Sequence, residues 1–325
     1  MTIEHARAHA VPKPWGVADL RPWSDLRQEG NQEDHKVGEI WFERSGMAAA
    51  DSSLLLKLLF TSQSLSIQVH PDDKFALSIG LPRGKSEAWY VLSATPEAKV
   101  ALGLNRRLTP QQLRDAIDDG SISNLVVWQK VSQGEVIFVP AGTIHAIGAG
   151  LVIAELQQRS DATFRVFDHG RKRELQVDSA VAVANTSPAV FAVPPSQITD
   201  ERTLLVANPH FVFERLTLAP NSAWCLAAER ETWLLVLSGG ARVGSFDVGI
   251  GDAIFAQTDR VVIRAGTEGM VCLAAYTGGS PISHLLQGVG EPNALDLGRP
   301  DEERVATSFP QAKAGPANGH PEIVQ

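Results

Sequence analysis

Short runs rich in Val, Ile, Leu and Phe recur along this chain, each cut off by Gly, Pro, Asn or Asp. The first group comprises 37-VGEIWFER-44, 53-SLLLKLLF-60, 64-SLSIQVH-70, 87-EAWYVL-92, 98-AKVALGL-104, 135-EVIFV-139, 151-LVIAEL-156 and 163-TFRVF-167. Runs of this length between turn residues read as strands, and so many of them predict a mainly β fold of the sandwich, barrel or jelly-roll kind. One helix stands out. Thr109 is placed to cap it, Pro110 fits its first position, and the segment through Ile117 ends at Gly120. A second helix is expected over 174-ELQVDSAVAVAN-185.

A stretch rich in Pro, Ser and Ala, 186-TSPAVFAVPPSQ-197, separates this group from a second one. That second group is 210-HFVFERLTL-218, 233-WLLVLSG-239, 253-AIFAQ-257, 260-RVVIRAG-266 and 270-MVCLAAYT-277. The two groups share a faint repeat. Laying 134-GEVIFVPAGTIHAI-147 on 251-GDAIFAQTDRVVIR-264 sets Gly134 against Gly251 and Phe138 against Phe255, but His145 against Val262. A duplicated backbone unit with its polar side chain in one copy predicts one active half and one structural half. The expected domains are therefore 1–190, with a helical insertion near 108–125, and 198–280, without metal ligands. Residues 281–325, of low periodicity, form a tail.

Composition excludes several function classes. A net charge of -8 over 325 residues disfavours nucleic acid and anionic membranes as partners, because both need a basic field. No apolar run approaches the roughly 20 residues that span a bilayer. The N-terminus lacks an apolar signal region, and the 2 cysteines, Cys225 and Cys272, cannot build a disulfide framework. The expectation is a cytoplasmic protein.

The chemistry concentrates in 65-LSIQVHPDD-73. Strand side chains alternate between faces, so Ser66, Gln68 and His70 share one face while Leu65, Ile67 and Val69 share the other. Glu87 lies in 84-GKSEAWY-90, a carboxylate inside an aromatic strand run, and a buried carboxylate needs a partner or a metal. His145 follows the turn in 139-VPAGTIHAIG-148. Two imidazoles, one carboxylate and one amide oxygen make a mixed nitrogen and oxygen set. That set suits zinc ahead of manganese, iron or cobalt.

These stretches, with 155-ELQQRSDATFRVFDHGR-171, 13-KPWG-16 and 38-GEIWFE-43, resemble the short bacterial form of the type I mannose-6-phosphate isomerases, which have the cupin fold. The resemblance runs from about Lys13 to Asn185 and more weakly beyond. It implies two cupin-like jelly-roll or β-barrel units, and one Zn2+ per chain held by Gln68, His70, Glu87 and His145. It also implies catalytic roles for Arg165, Glu155 and Lys85, and substrate roles for Ser66 and Asp161. Arg171, in the matched Asp-His-Gly-Arg turn, is the favoured phosphate ligand, whereas Lys172 and Arg173 read as a solvated basic loop. The implied reaction interconverts mannose 6-phosphate and fructose 6-phosphate through an enediol, with Glu155 the first choice of base and a metal-bound water or Lys85 the second. The alternatives are a related isomerase for another aldose and a non-enzymatic sugar-binding cupin. A cupin oxygenase fits less well, since Gln68 stands where such proteins carry a first His.

Overall fold

The structure, a computed structural model, describes residues 2–26, 36–45, 52–189 and 194–289. Residues up to Val289 form one compact unit; the tail expected from 281 lies outside the described residues from 290 onward. The unit is built almost wholly from antiparallel sheet. The first half has a six-stranded sheet ordered Arg7–Val17, Val37–Glu43, Leu54–Thr61, Leu151–Gln158, Glu87–Ala94 and Val136–Val139. A five-stranded sheet, ordered Phe164–Phe167, Ile67–Val69, His145–Ile147, Lys99–Leu104 and Val126–Lys130, closes over it. Side chains of both sheets meet in one core that includes Trp89, Val91, Val100, Leu102, Ile147 and Ile153. The second half is a ten-stranded sheet around its own apolar interior. No helix among the described residues is long and apolar enough to cross a membrane.

The six-stranded sheet has two jobs, and its alternation divides them. Leu54, Leu56, Leu58 and Phe60 point away from the first barrel into a core shared with Phe213, Trp233 and Phe255 of the second half. Leu55, Lys57 and Leu59 point the other way and line a cavity inside the first barrel. Both faces are covered, so the whole strand Leu54–Thr61 is buried and its sequence reads as a continuous apolar run interrupted by one lysine. The same rule turns Ala88 and Tyr90 outward to the shared core and Glu87 and Trp89 inward.

The helix Pro110–Asp118 has the expected start. Thr109 Oγ1 accepts from the Gln112 amide at 3.2 Å and the Gln112 side chain accepts from the Thr109 amide at 2.9 Å, a reciprocal cap. Helix Val177–Val183 falls inside the second expected segment.

Several elements differ from expectation. Directly after Pro71, where no helix is expected, Asp73–Ser78 is helical, because Asp72 Oδ1 accepts from the Phe75 amide at 2.8 Å and caps it. The strand that carries His145 runs only from His145 to Ile147, since Gly142, at φ +84, still turns the chain just before it. The runs 260–266 and 270–277 form one strand, Asp259–Thr277, whose Gly269, at φ +72, bends it without breaking it. Leu286–Gly288 pairs with Ala223–Ala228, and Leu285 is fully buried. The N-terminal strand Thr2–His5, for which the sequence carried no signal, pairs with Ala253–Gln257 of the second half.

Candidate active site

Three of the expected metal ligands sit at strand ends on one edge of the first barrel. His70 directly follows Ile67–Val69, while Glu87 and His145 open their strands. Pairing brings His145 opposite Gln68 and Glu87 opposite Gln157. The ligand atoms of His70, Glu87 and His145 lie within 4.8 Å of one another, and all three residues are buried. His70 Nε2 is 3.1 Å from Glu87 Oε1, and His145 Nε2 is 3.7 Å from Glu87 Oε2.

Each imidazole is oriented from behind. His70 Nδ1 meets the Ala162 carbonyl at 2.7 Å and His145 Nδ1 meets the Thr143 carbonyl at 2.9 Å. A carbonyl can only accept, so both Nδ1 atoms carry the proton and both Nε2 lone pairs face the cluster. Burial, reinforced by the Lys85 charge, pushes His70 down to about 3, and burial likewise lowers His145. Burial alone would raise Glu87, but Lys85 and His70 beside it hold it well below the usual carboxylate range. Neutral imidazoles and an ionised carboxylate are the ligating states.

The cluster fits a divalent cation on a further ground. Glu87 Oε1 is buried and lies 2.8 Å from Lys85 Nζ, yet no donor meets it in hydrogen-bonding geometry. Gln68 stands beside the cluster with Nε2 3.4 Å from His145 Nε2, while its Oε1 accepts from Ser66 Oγ at 3.0 Å. Half a turn about the last side-chain bond exchanges the two amide atoms and presents the oxygen to the cluster.

Next to the cluster lies a cavity of about 260 Å3. A second carboxylate, Glu155, faces it. Trp89 Nε1 bridges the two acids, at 3.2 Å from Glu87 Oε2 and 3.1 Å from Glu155 Oε1. Burial, with the Glu87 charge, pushes Glu155 up to about 7, near the pH at which a proton-transfer group works best. Lys57 Nζ sits 2.5 Å from Glu155 Oε2 and 3.8 Å from Glu39 Oε2. Burial works against the Lys57 charge, but Glu155 and Glu39 outweigh it and hold the amine above its usual value.

Of the residues expected to act on substrate, Ser66, Lys85, Glu155, Asp161 and Arg165 all line this cavity. Arg171 is not among the lining residues; its guanidinium is spent on Asp168 Oδ1 at 3.1 Å and the Ser64 carbonyl at 2.9 Å. Arg173, read from sequence as solvated, does line the cavity, held by Asp168 Oδ2 at 2.8 Å. Sequence reasoning also passed over Lys57, Glu39 and Gln157. The signal for Lys57 was present, since a lone lysine in Leu-Leu-Leu-Lys-Leu-Leu-Phe must be buried with a counter-charge.

No protein-family model matches the chain. The Bacillus subtilis protein GmuF, named a probable mannose-6-phosphate isomerase, is 32% identical over 263 residues, covering 74% of this chain and 82% of that protein. The chain belongs to the mannose-6-phosphate isomerase family. The mannose-6-phosphate isomerase of Streptococcus mutans is 32% identical over 222 residues, 65% of this chain and 67% of that one. Among solved structures, the Bacillus subtilis mannose 6-phosphate isomerase superposes with a TM-score of 0.72 over 85% of this chain and all (100%) of that one, at 23% identity. A phosphomannose isomerase from Salmonella typhimurium follows at TM-score 0.65 and 14% identity, over 86% of this chain and 100% of that one. At these identities the structural likeness is one of fold. It is the mainly β, double jelly-roll fold of this isomerase family that carries the cluster His70, Glu87 and His145.

Proposed function

We propose that this isomerase interconverts mannose 6-phosphate and fructose 6-phosphate through an enediol, in the cytoplasm, with one zinc ion per chain. The observation that carries the reading is one cavity holding a His-Glu-His cluster, a second carboxylate raised to about 7 and a guanidinium, Arg165. Gln68, His70, Glu87 and His145 would hold the metal, which when bound supplies Lewis-acid polarisation to the sugar oxygens.

The chain's own groups do the rest. Glu155 takes the proton from C2 of the aldose and returns it to C1, while a hydroxyl proton passes from O2 to O1. Lys57 and Trp89 fix the Glu155 carboxylate on both oxygens, so it meets the sugar in one orientation. Lys85, beside Glu87, is the second candidate for base. Arg165 cannot lose its proton at working pH, so it serves as a fixed cation beside the enediolate. Ser66 and Asp161 hydrogen-bond sugar hydroxyls. The phosphate is met by Arg173, which lines the cavity and is held there by Asp168; the planar fork of a guanidinium suits a phosphate.

A coupled assay on mannose 6-phosphate, with metal content measured on the same sample, tests the reading. Turnover should accompany about one zinc per chain, vanish with a chelator and return with zinc, and fall sharply on unphosphorylated mannose. Zinc-loaded protein that turns over neither sugar overturns it.

A further inference from the structure

Gln68 is the one member of the proposed ligand set that does not orient itself. A carboxylate presents oxygen whichever way it turns, and an imidazole here is locked by a carbonyl behind Nδ1. A terminal amide has an oxygen end that can bind a cation and an NH2 end that cannot. Something must choose between them.

The polar contacts of the Gln68 amide among the described residues are Ser66 Oγ at 3.0 Å and His145 Nε2 at 3.4 Å. Ser66 lies two residues earlier on the same face of the chain and is buried at 3% exposure. A hydroxyl donates or accepts as its partner requires. As seen, Ser66 donates to Oε1 and the NH2 end lies against the His145 lone pair. With a cation among the Nε2 lone pairs, the NH2 end can no longer lie there. The amide turns, the oxygen faces the cation, and the NH2 group meets Ser66 Oγ, which now accepts. Ser66 is the nearest group that can satisfy the amide in both states.

From this geometry we infer that Ser66 is a positioning residue for the metal centre. It holds the Gln68 amide with its oxygen toward the cation and so sets metal affinity. This rests on the proposed zinc reading and gives Ser66 a task separate from contact with the sugar. Ser66→Ala takes away the hydroxyl that the turned NH2 group meets, whereas Ser66→Thr keeps it.

Metal-free parent, Ser66→Ala and Ser66→Thr proteins are titrated with zinc against a chromophoric chelator, and thermal unfolding of each metal-free protein is recorded alongside. Ser66→Ala should bind zinc about 10- to 100-fold more weakly, the range for losing a partner that orients a metal ligand. Ser66→Thr should stay close to the parent, and unfolding of the metal-free proteins should coincide. If Ser66→Ala binds zinc as tightly as the parent, and only its KM for the sugar rises, the inference fails while the zinc reading stands. If the parent itself binds no zinc, both fall. Weaker binding in Ser66→Thr equal to that in Ser66→Ala also overturns the inference, because the hydroxyl would then not be the operative group.

Discussion

Both halves of the molecule contain the same small device and use it differently. In the first half Trp89 Nε1 donates to Glu87 two residues before it, at 3.2 Å; in the second, Trp233 Nε1 donates to Glu231 at 3.0 Å. The strand that pairs with each runs out from a glycine in the left-handed region, Gly134 at φ +87 and Gly251 at φ +85. Glu87 turns its carboxylate to the cluster, with Lys85 Nζ 2.8 Å from Oε1. Glu231 instead accepts from the Ser53 and Leu54 amides at 2.6 and 3.0 Å, and so pins the strand that carries Lys57. The interior of the second half holds a closed network where the first has a cavity: Arg202 forks onto Glu214 at 2.9 and 2.8 Å, and Tyr276 donates to the same carboxylate. Among the described residues the partners of Glu231 and Glu214 are all donors, whereas Glu87 also faces two imidazole nitrogens that carry no proton.

The contrast can be broken by matched substitutions. Glu87→Gln should lose bound zinc and reduce turnover on the order of a thousandfold, because several kcal/mol of Lewis-acid stabilisation go with the metal; metal analysis and steady-state kinetics check it. Arg202→Met leaves Glu214 buried and unpaired, and should cost about 3–5 kcal/mol of stability with the zinc content of the folded protein unchanged, read by denaturant unfolding. Arg165→Ala should lower kcat on the order of a hundredfold, with a smaller change in KM and none in metal content. Arg165→Lys should rescue part of that. A large rise in KM with kcat intact would make Arg165 a phosphate grip instead.

Glu231→Gln should cost about 1–3 kcal/mol, since an amide NH2 replaces one acceptor facing the two backbone donors, and zinc should remain. A loss of zinc equal to that of Glu87→Gln would erase the distinction between the two copies. The smallest effect belongs to the cavity rim. Arg173 and Arg171 outweigh burial and lower Asp168 below its usual 3.8. A folded value below the unfolded one adds stability above pH 3.8 that is lost as pH falls through the folded value. Because Arg173 is 33% exposed, the loss should stay under about 1 kcal/mol, and Asp168→Asn should flatten that part of the acid unfolding curve.

How much of this was legible beforehand follows from how local each signal is. The inward face carrying Gln68 and His70, and the capped helix from Pro110, are written in residues two to four apart, and both were readable. The cluster of His70, Glu87 and His145 was singled out because Glu87 is a carboxylate inside an aromatic strand run and because the stretches around all three resemble those of the isomerase family. What stayed hidden depends on pairing across long separations. Glu231 looks like an ordinary strand-edge acid until Ser53 and Leu54 arrive beside it. Lys57 was visible as an anomaly, but its partners Glu39 and Glu155 come from strands on either side. Arg171 and Arg173 are two apart on a turn, where alternation no longer says which guanidinium faces the cavity.

The strand Thr2–His5 pairs with Ala253–Gln257, so it is made about 250 residues before its partner. At roughly 5–20 residues per second of synthesis, it waits on the order of 10–50 s with its hydrogen-bonding edge open. For this enzyme a strand made late in synthesis closes the place of the first. A chain cut between the two halves would therefore give two pieces, of which the second lacks an edge strand and the first carries one with nowhere to go.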